Sequence, residues 1–269
     1  MGLFYVMASD GKGGFKKPEP LKGTDKKLLN IPVANKSERR RSICTRPTAV
    51  DWDGDGHLDL VVGNFEGSFF VFHGEGKGQF KPIPDAIKVD GKILRIENAH
   101  SDPFVIDWDG DGDLDLLSGS SRGGVQWSEN TAGKGKVPVL KPFKILIPFP
   151  DANQLSTEEQ YRKVEPTGPS DSTRVWVDDI NGDGKLDILL GDTHRSSYAA
   201  KGLGEDEFKQ KMAAWHKEMN AIQREMENQA KQGKGASVEI SKKMTAHVHA
   251  QKEILQSDSL GFVWLFLQK

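Results

Sequence analysis

Over most of the chain, apolar residues come in runs of about three to five between polar stretches rich in glycine and aspartate. Thr48-Ala49-Val50, Leu58 to Val62 and Phe69 to Phe72 form one group of such runs, and Lys81 to Val89 adds an outer member. Phe104-Val105-Ile106, Leu114 to Leu117, Gly124-Val125-Gln126-Trp127 and Phe143 to Ile147 form the next group. Arg174-Val175-Trp176-Val177 and Leu186 to Leu190 open a third. Short runs rich in β-branched and aromatic residues, bounded by turn formers, predict strands. Trp127, Trp176 and Trp264 lie in such strands and are expected in the core.

The period changes once. Phe208, Met212, Trp215, Met219, Ile222 and Met226 recur at alternating steps of four and three. That spacing predicts an amphipathic helix with a heptad-like, coiled-coil seam. Gln232-Gly233-Lys234-Gly235 marks a turn. Val238 to Leu255 follows as a second helical segment, with Ile240, Met244, Val248, Gln251 and Leu255 on one side. The two predict a helical hairpin over 204–256, suited to packing on the domain or to contacting a partner. Gly261-Phe262-Val263-Trp264-Leu265-Phe266 then repeats the pattern of Gly67 to Phe72. The hairpin therefore interrupts its group between the second and third strands. The predicted organisation is a β-rich 1–203, the inserted hairpin 204–256, and a returning strand in 257–269.

Between the first and second runs of each group lies the same polar loop. It is Asp51-Trp52-Asp53-Gly54-Asp55-Gly56-His57-Leu58-Asp59, then Asp107-Trp108-Asp109-Gly110-Asp111-Gly112-Asp113-Leu114-Asp115, then Asp179-Ile180-Asn181-Gly182-Asp183-Gly184-Lys185-Leu186-Asp187. The loop starts are 56 and 72 residues apart, and an insertion between Pro150 and Ser172, expected as a surface excursion, accounts for the longer step. Gly2 to Phe15 resembles Gly67 to Phe80, an apolar run, a glycine-lysine turn and a Phe. The chain thus reads as starting within a repeat.

The spacing of the acids predicts a cation site. Ca²⁺ takes six to eight oxygens at roughly 2.3–2.6 Å. Carboxylates at loop positions 1, 3 and 5 converge if Gly56, Gly112 and Gly184 adopt positive φ. Position 7 varies among His57, Asp113 and Lys185, as expected of a residue that offers its backbone carbonyl. Position 9 is Asp in all three and closes the shell. An EF-hand is excluded, because position 12 is Val62, Ser118 or Leu190 rather than Glu, and the flanks are strands. The competing reading is a set of bare Asp-Gly hairpin turns.

Composition narrows the picture further. The net charge is −2, and no basic stretch is interleaved with aromatics, which argues against nucleic acid. Arg39-Arg40-Arg41 is expected to be a solvated loop. A single cysteine excludes an intramolecular disulfide, so calcium takes the part of the staple. No apolar run reaches the ~18 residues of a membrane span, and the first eight residues make a poor signal peptide.

The D-x-[DN]-G-D-G-x-L-D loop followed by an apolar strand and Gly resembles the FG-GAP/VCBS repeat of integrin-alpha-like proteins. The resemblance implies an all-β fold, a β-propeller of four-stranded blades with calcium loops between the first two strands of a blade. This chain would supply about three and a half blades, interrupted by the α-helical hairpin. It implies up to three Ca²⁺. Their ligands would be Asp51, Asp53, Asp55, His57 (carbonyl) and Asp59; Asp107, Asp109, Asp111, Asp113 (carbonyl) and Asp115; and Asp179, Asn181, Asp183, Lys185 (carbonyl) and Asp187. The third site, with Asn181 and Lys185, is expected to be the weakest.

Two functions follow as expectations. The first is a calcium-stabilised, non-catalytic module that binds a protein or carbohydrate outside the cytoplasm, either secreted, on the cell surface or periplasmic, with homo-oligomers or further N-terminal blades completing it. The second is the propeller domain of a secreted enzyme such as a polysaccharide lyase or hydrolase. His100 with Asp102 and Asp192 with His194 are its candidate residues, since equivalent loop ends of adjacent blades would bring them together. No recognisable catalytic motif supports it. Trp52 and Trp108 are candidate sugar platforms or, more simply, packing residues. His247 and His249, two apart on a helix, point to different sides and make a poor zinc pair.

Overall fold

The computed structural model describes residues 2–150, 156–162, 165–231, 235 and 237–269. The fold is mostly antiparallel β-sheet with a few helices. The chain divides into two compact units, the first made of 1–150, 168–193 and 261–269, the second of 151–167 and 194–260.

In the first unit, β1 (Tyr5–Val6) pairs with β2 (Glu19–Pro20). A four-stranded sheet then forms from β3 (Arg46–Val50), β4 (Asp59–Gly63), β5 (Phe69–Phe72) and β6 (Asp85–Ala86), in that order. A small hairpin of β7 (Lys88–Val89) and β8 (Lys92–Ile93) follows. The second sheet repeats the first, with β9 (Asp102–Ile106), β10 (Asp115–Gly119), β11 (Val125–Ser128) and β12 (Lys144–Ile147). The insertion after it holds the short helix α1 (Thr157–Arg162). The third sheet orders β13 (Asp171–Asp178), β14 (Asp187–Ala199) and β15 (Leu255–Phe266). Between β14 and β15 lie α2 (Glu205–Lys231) and α3 (Val238–Ala250), the interruption expected from the period change. The turn expected at 232–235 lies largely outside the described residues.

Alternation along the central strands explains the stacking. Every residue of β4 and of β10 is buried. Val61 enters a core with Trp52, Phe69, Val71 and Leu116, while Leu60 and Val62 enter another with Phe4, Phe72 and Phe80. Leu116 shares the first of these, and Leu117 turns to a third core with Val177, Ile188 and Leu190. Successive side chains of a strand point to opposite faces. The first two sheets are therefore covered on both faces and the third on one, as the sheets stack in succession. Among the described residues they do not close into a ring.

Two joints between neighbouring sheets are copies of one another. Asn64 N–H donates to Ser101 Oγ at 2.8 Å and Ser101 N–H to the Asn64 carbonyl at 3.0 Å. Ser120 N–H donates to Thr173 Oγ1 at 2.8 Å and Thr173 N–H to the Ser120 carbonyl at 2.9 Å. The glycines ending β4 and β10 allow this approach. A Cβ on Gly63 would meet the Ser101 carbonyl oxygen, and one on Gly119 would meet that of Thr173.

The N-terminal half repeat also matches. Lys16 N–H bonds the Ala8 carbonyl as Lys81 N–H bonds that of His73, both at 2.8 Å. Three expectations need correction. Trp176 is 56% exposed, because it shares a face of edge strand β13 with exposed Arg174 and Asp178 while Thr173, Val175 and Val177 turn inward. It packs edge-on against Phe104 instead. Trp127 and Trp264 are half-buried beside the third core. Arg40 and Arg41 are not simply solvated, since Arg40 lies over the Phe65 ring and Arg41 pairs with Glu38 and Glu66.

In the second unit, α2 buries Phe208, Met212, Met219 and Ile222, and Ile240 of α3 is buried. Trp215 stacks on His247 at 5.0 Å, and its indole N–H donates to the His247 carbonyl. His247 therefore takes the inward position expected of Val248, which is 44% exposed. The Ser237 side chain caps α3 by accepting from Ile240 N–H. The insertion is no bare excursion, since Tyr161 of α1 packs against Phe208 of α2.

Candidate metal centre

Each acidic loop folds on its own backbone. Asp51 accepts from Gly54 and Gly56 N–H at 2.9 and 3.0 Å, and Asp107 from Gly110 and Gly112 at 2.8 and 3.0 Å. Asp179 accepts from Gly182 and Gly184 at 2.7 and 2.9 Å. Position 5 then accepts from the N–H of position 7: Asp55 from His57, Asp111 from Asp113, Asp183 from Lys185. Gly56, Gly112 and Gly184 have φ of 86°, 96° and 84°, as the curl demands.

The curl gathers the acids. Asp51, Asp53 and Asp55 each present an oxygen within 4.8 Å of the others, and so do Asp107, Asp109 and Asp111. In the third loop Asn181 takes the middle place, and its Nδ2 donates to Asp183 Oδ2 at 3.1 Å. Burial and then the neighbouring Asp111 raise the Asp109 carboxyl from its ordinary value. Three hard oxygen donors close together repel one another, and a divalent cation removes that repulsion. The donor set therefore fits Ca²⁺.

Position 9 does more than face the loop. Asp59, Asp115 and Asp187 are fully buried. One oxygen of each accepts the N–H of loop position 2: Trp52 at 2.9 Å, Trp108 at 3.1 Å, Ile180 at 3.1 Å. The other accepts an N–H just past the third strand: Gly74 at 2.6 Å, Asn130 at 2.7 Å, Gln268 at 3.0 Å. One carboxylate thus staples the loop to its sheet. Burial raises the Asp59 carboxyl and pushes that of Asp115 up to about 6, against the pull of those N–H groups. A carboxylate has about four lone-pair sites, so two bonds leave room for a cation.

At position 7, the Asp113 side chain is buried and accepts from Gly133 N–H at 2.7 Å. His57 and Lys185 are exposed. Trp52 is buried in the first core and Trp108 packs against the third, so neither offers an open platform.

The residues considered for catalysis have structural partners. Asp102 sits between Arg174 at 2.9 Å and Arg46 at 3.8 Å. Burial raises its carboxyl in spite of both arginines. His100 has φ of 63° and its ring lies on Phe65 at 4.3 Å, where burial and then Arg46 and Arg174 lower its pKa. Asp192 accepts from Ser170 N–H at 2.7 Å and Phe262 N–H at 3.2 Å. It stands where Asn64 and Ser120 cap the corresponding turns of the other sheets. Asp102 and Asp192 thus take separate partners, and His194 belongs to the second unit.

Sequence reasoning missed His73, just past β5, whose Nδ1 lies 3.2 Å from Asp53 Oδ2. Its counterpart past β11 is Glu129, held by Lys141 and Lys144. The only signal is position, one residue beyond the third strand.

No curated protein matches the chain. The family model for the FG-GAP-like repeat matches residues 51–118 and 107–190. Each match starts at the first Asp of one loop and ends in the second strand of the next sheet, so the two together take in all three loops. By its loops, its repeating sheets and this match over half its length, the chain belongs to the FG-GAP-like repeat family.

Proposed function

We propose that the protein is a calcium-stabilised, non-catalytic binding module that works outside the cytoplasm. FG-GAP repeats support a binding or interaction role in the general sense. In this reading the sheets are successive propeller blades, and further blades or a second copy complete them. Up to three Ca²⁺ occupy the loops, held by positions 1, 3 and 5, the position 7 carbonyl and position 9. The partner is a protein or a glycan met by exposed loops and by the helical hairpin. Among the described residues no helix is long and apolar enough to cross a membrane.

The observation that carries this reading is the pair of carboxylate trios, each with its oxygens within 4.8 Å. An extracytoplasmic setting supplies the calcium such sites need, and a chain with one cysteine has no disulfide to stabilise it there. The non-catalytic reading rests on the occupied carboxylates of Asp102 and Asp192. Thermal unfolding in EDTA and in excess Ca²⁺ tests the proposal. The expected result is a rise of about ten degrees or more with calcium, since binding to the folded state alone stabilises it. Equal melting temperatures would contradict it.

A further inference from the structure

The first loop differs from the other two by an imidazole. His73 follows β5, and its ring packs against the loop with its side chain 19% exposed. Nδ1 lies 3.2 Å from Asp53 Oδ2 and 3.9 Å from Asp59 Oδ1, and the three donor atoms are mutually within 4.8 Å. Nδ1 is buried and has no hydrogen-bond partner, despite the nearby oxygens. A ring N–H donates in the plane of the ring, so the carboxylates are close to the nitrogen yet poorly placed for a proton. The other nitrogen, Nε2, lies 3.2 Å from Asp85 Oδ2 on β6. In the tautomer that carries the ring proton on Nε2, Nδ1 offers a lone pair flanked by Asp53 and Asp59.

We propose that His73, Asp53 and Asp59 form a site for a divalent transition-metal cation of the zinc class. One nitrogen and two carboxylate oxygens match the donors such ions take, whereas calcium takes oxygen alone. Three protein donors leave positions for water. Asp53 and Asp59 are both shared with the calcium loop: Asp53 Oδ1 faces the Asp55 N–H and its Oδ2 faces His73, while Asp59 Oδ1 accepts the Gly74 N–H and also lies near His73. The second loop carries Glu129 at the matching place and the third carries Leu267, so neither can form the site. The inference goes beyond the calcium reading and stands without it.

The test is titration of the full chain with Co²⁺ in saturating Ca²⁺, followed by visible absorption and then by displacement with Zn²⁺. Wild type should show one equivalent of bound cobalt that zinc displaces. His73→Gln should lose at least 100-fold in affinity while keeping its melting temperature. If His73 serves only as an ion-pair partner of its acids, cobalt gives no ligand-field bands, and that result overturns the proposal. So does unchanged binding in His73→Gln. Cobalt binding without any calcium effect on unfolding would sink the calcium reading and leave this one standing.

Discussion

At Asp59, Asp115 and Asp187 a single buried carboxylate holds two backbone N–H groups from different parts of its sheet. Position 9 was legible as an acid turned toward the loop. Its second task was not, because the partner N–H groups of Gly74 and Asn130 lie 15 residues on and that of Gln268 lies 81 on. No local pattern encodes a bond across the whole hairpin insertion. Trp176 shows the complementary failure, since an alternating strand does not tell which face the next sheet covers. Burial sets a pH dependence at this scale. Asp115 titrates at about 6 when folded, against about 3.9 unfolded. The folded state holds this proton more tightly, so the metal-free chain gains stability as pH falls from about 6 toward about 4. In the proposed reading calcium needs the anion, so its affinity should weaken over the same window. Melting temperatures in EDTA at pH 7 and pH 5 should rise on acidification, and rise less in Asp115→Asn. An equal rise in the variant would remove Asp115 as the cause.

At the scale of elements, strands two and three of each sheet were readable because their apolar runs are bounded by Asp-Gly loops and Gly. Their exact ends were not: β14 runs to Ala199, well past the expected Leu190, since pairing rather than apolar content sets its length. The helix period identified α2 through Phe208, Met212, Met219 and Ile222. It placed the α3 face less well, because His247 can stack on Trp215 and bury itself where a hydrophobic scale favours Val248. The Gly ending β4 and the Gly ending β10 have a cause that sequence leaves hidden, the close approach of the next sheet. Gly63→Ala and Gly119→Ala should each cost about 2 kcal/mol or more, because the Cβ meets backbone that cannot move aside. Gly191 has no such neighbour, and its added Cβ meets only Arg174 Cβ at 3.9 Å. Gly191→Ala should change stability by about 0.5 kcal/mol or less. Urea unfolding of the three variants checks the contrast, and equal losses at all three would refute the joint.

Over the whole molecule, one repeated unit explains the first compact unit: an edge strand, an acidic loop, a buried strand and a glycine, with a docking joint between successive sheets. The half repeat at the N-terminus obeys the same register, with Lys16 bonding back to Ala8 as Lys81 does to His73. Three acidic loops in that register gave the family from sequence, but motif spacing alone carried no sign of the His73 nitrogen beside the first of them. The second unit is organised by a different period and holds the helices. The central claim is that the repeated loops are cation sites and not bare turns. Calorimetric titration of the metal-free chain with Ca²⁺ tests it most directly. The account predicts saturable heat approaching three ions per chain, one for each acidic loop, with the Asn181 loop weakest and with Asp53→Asn and Asp109→Asn each removing one site. No heat above dilution in wild type, or full binding in both variants, would contradict it.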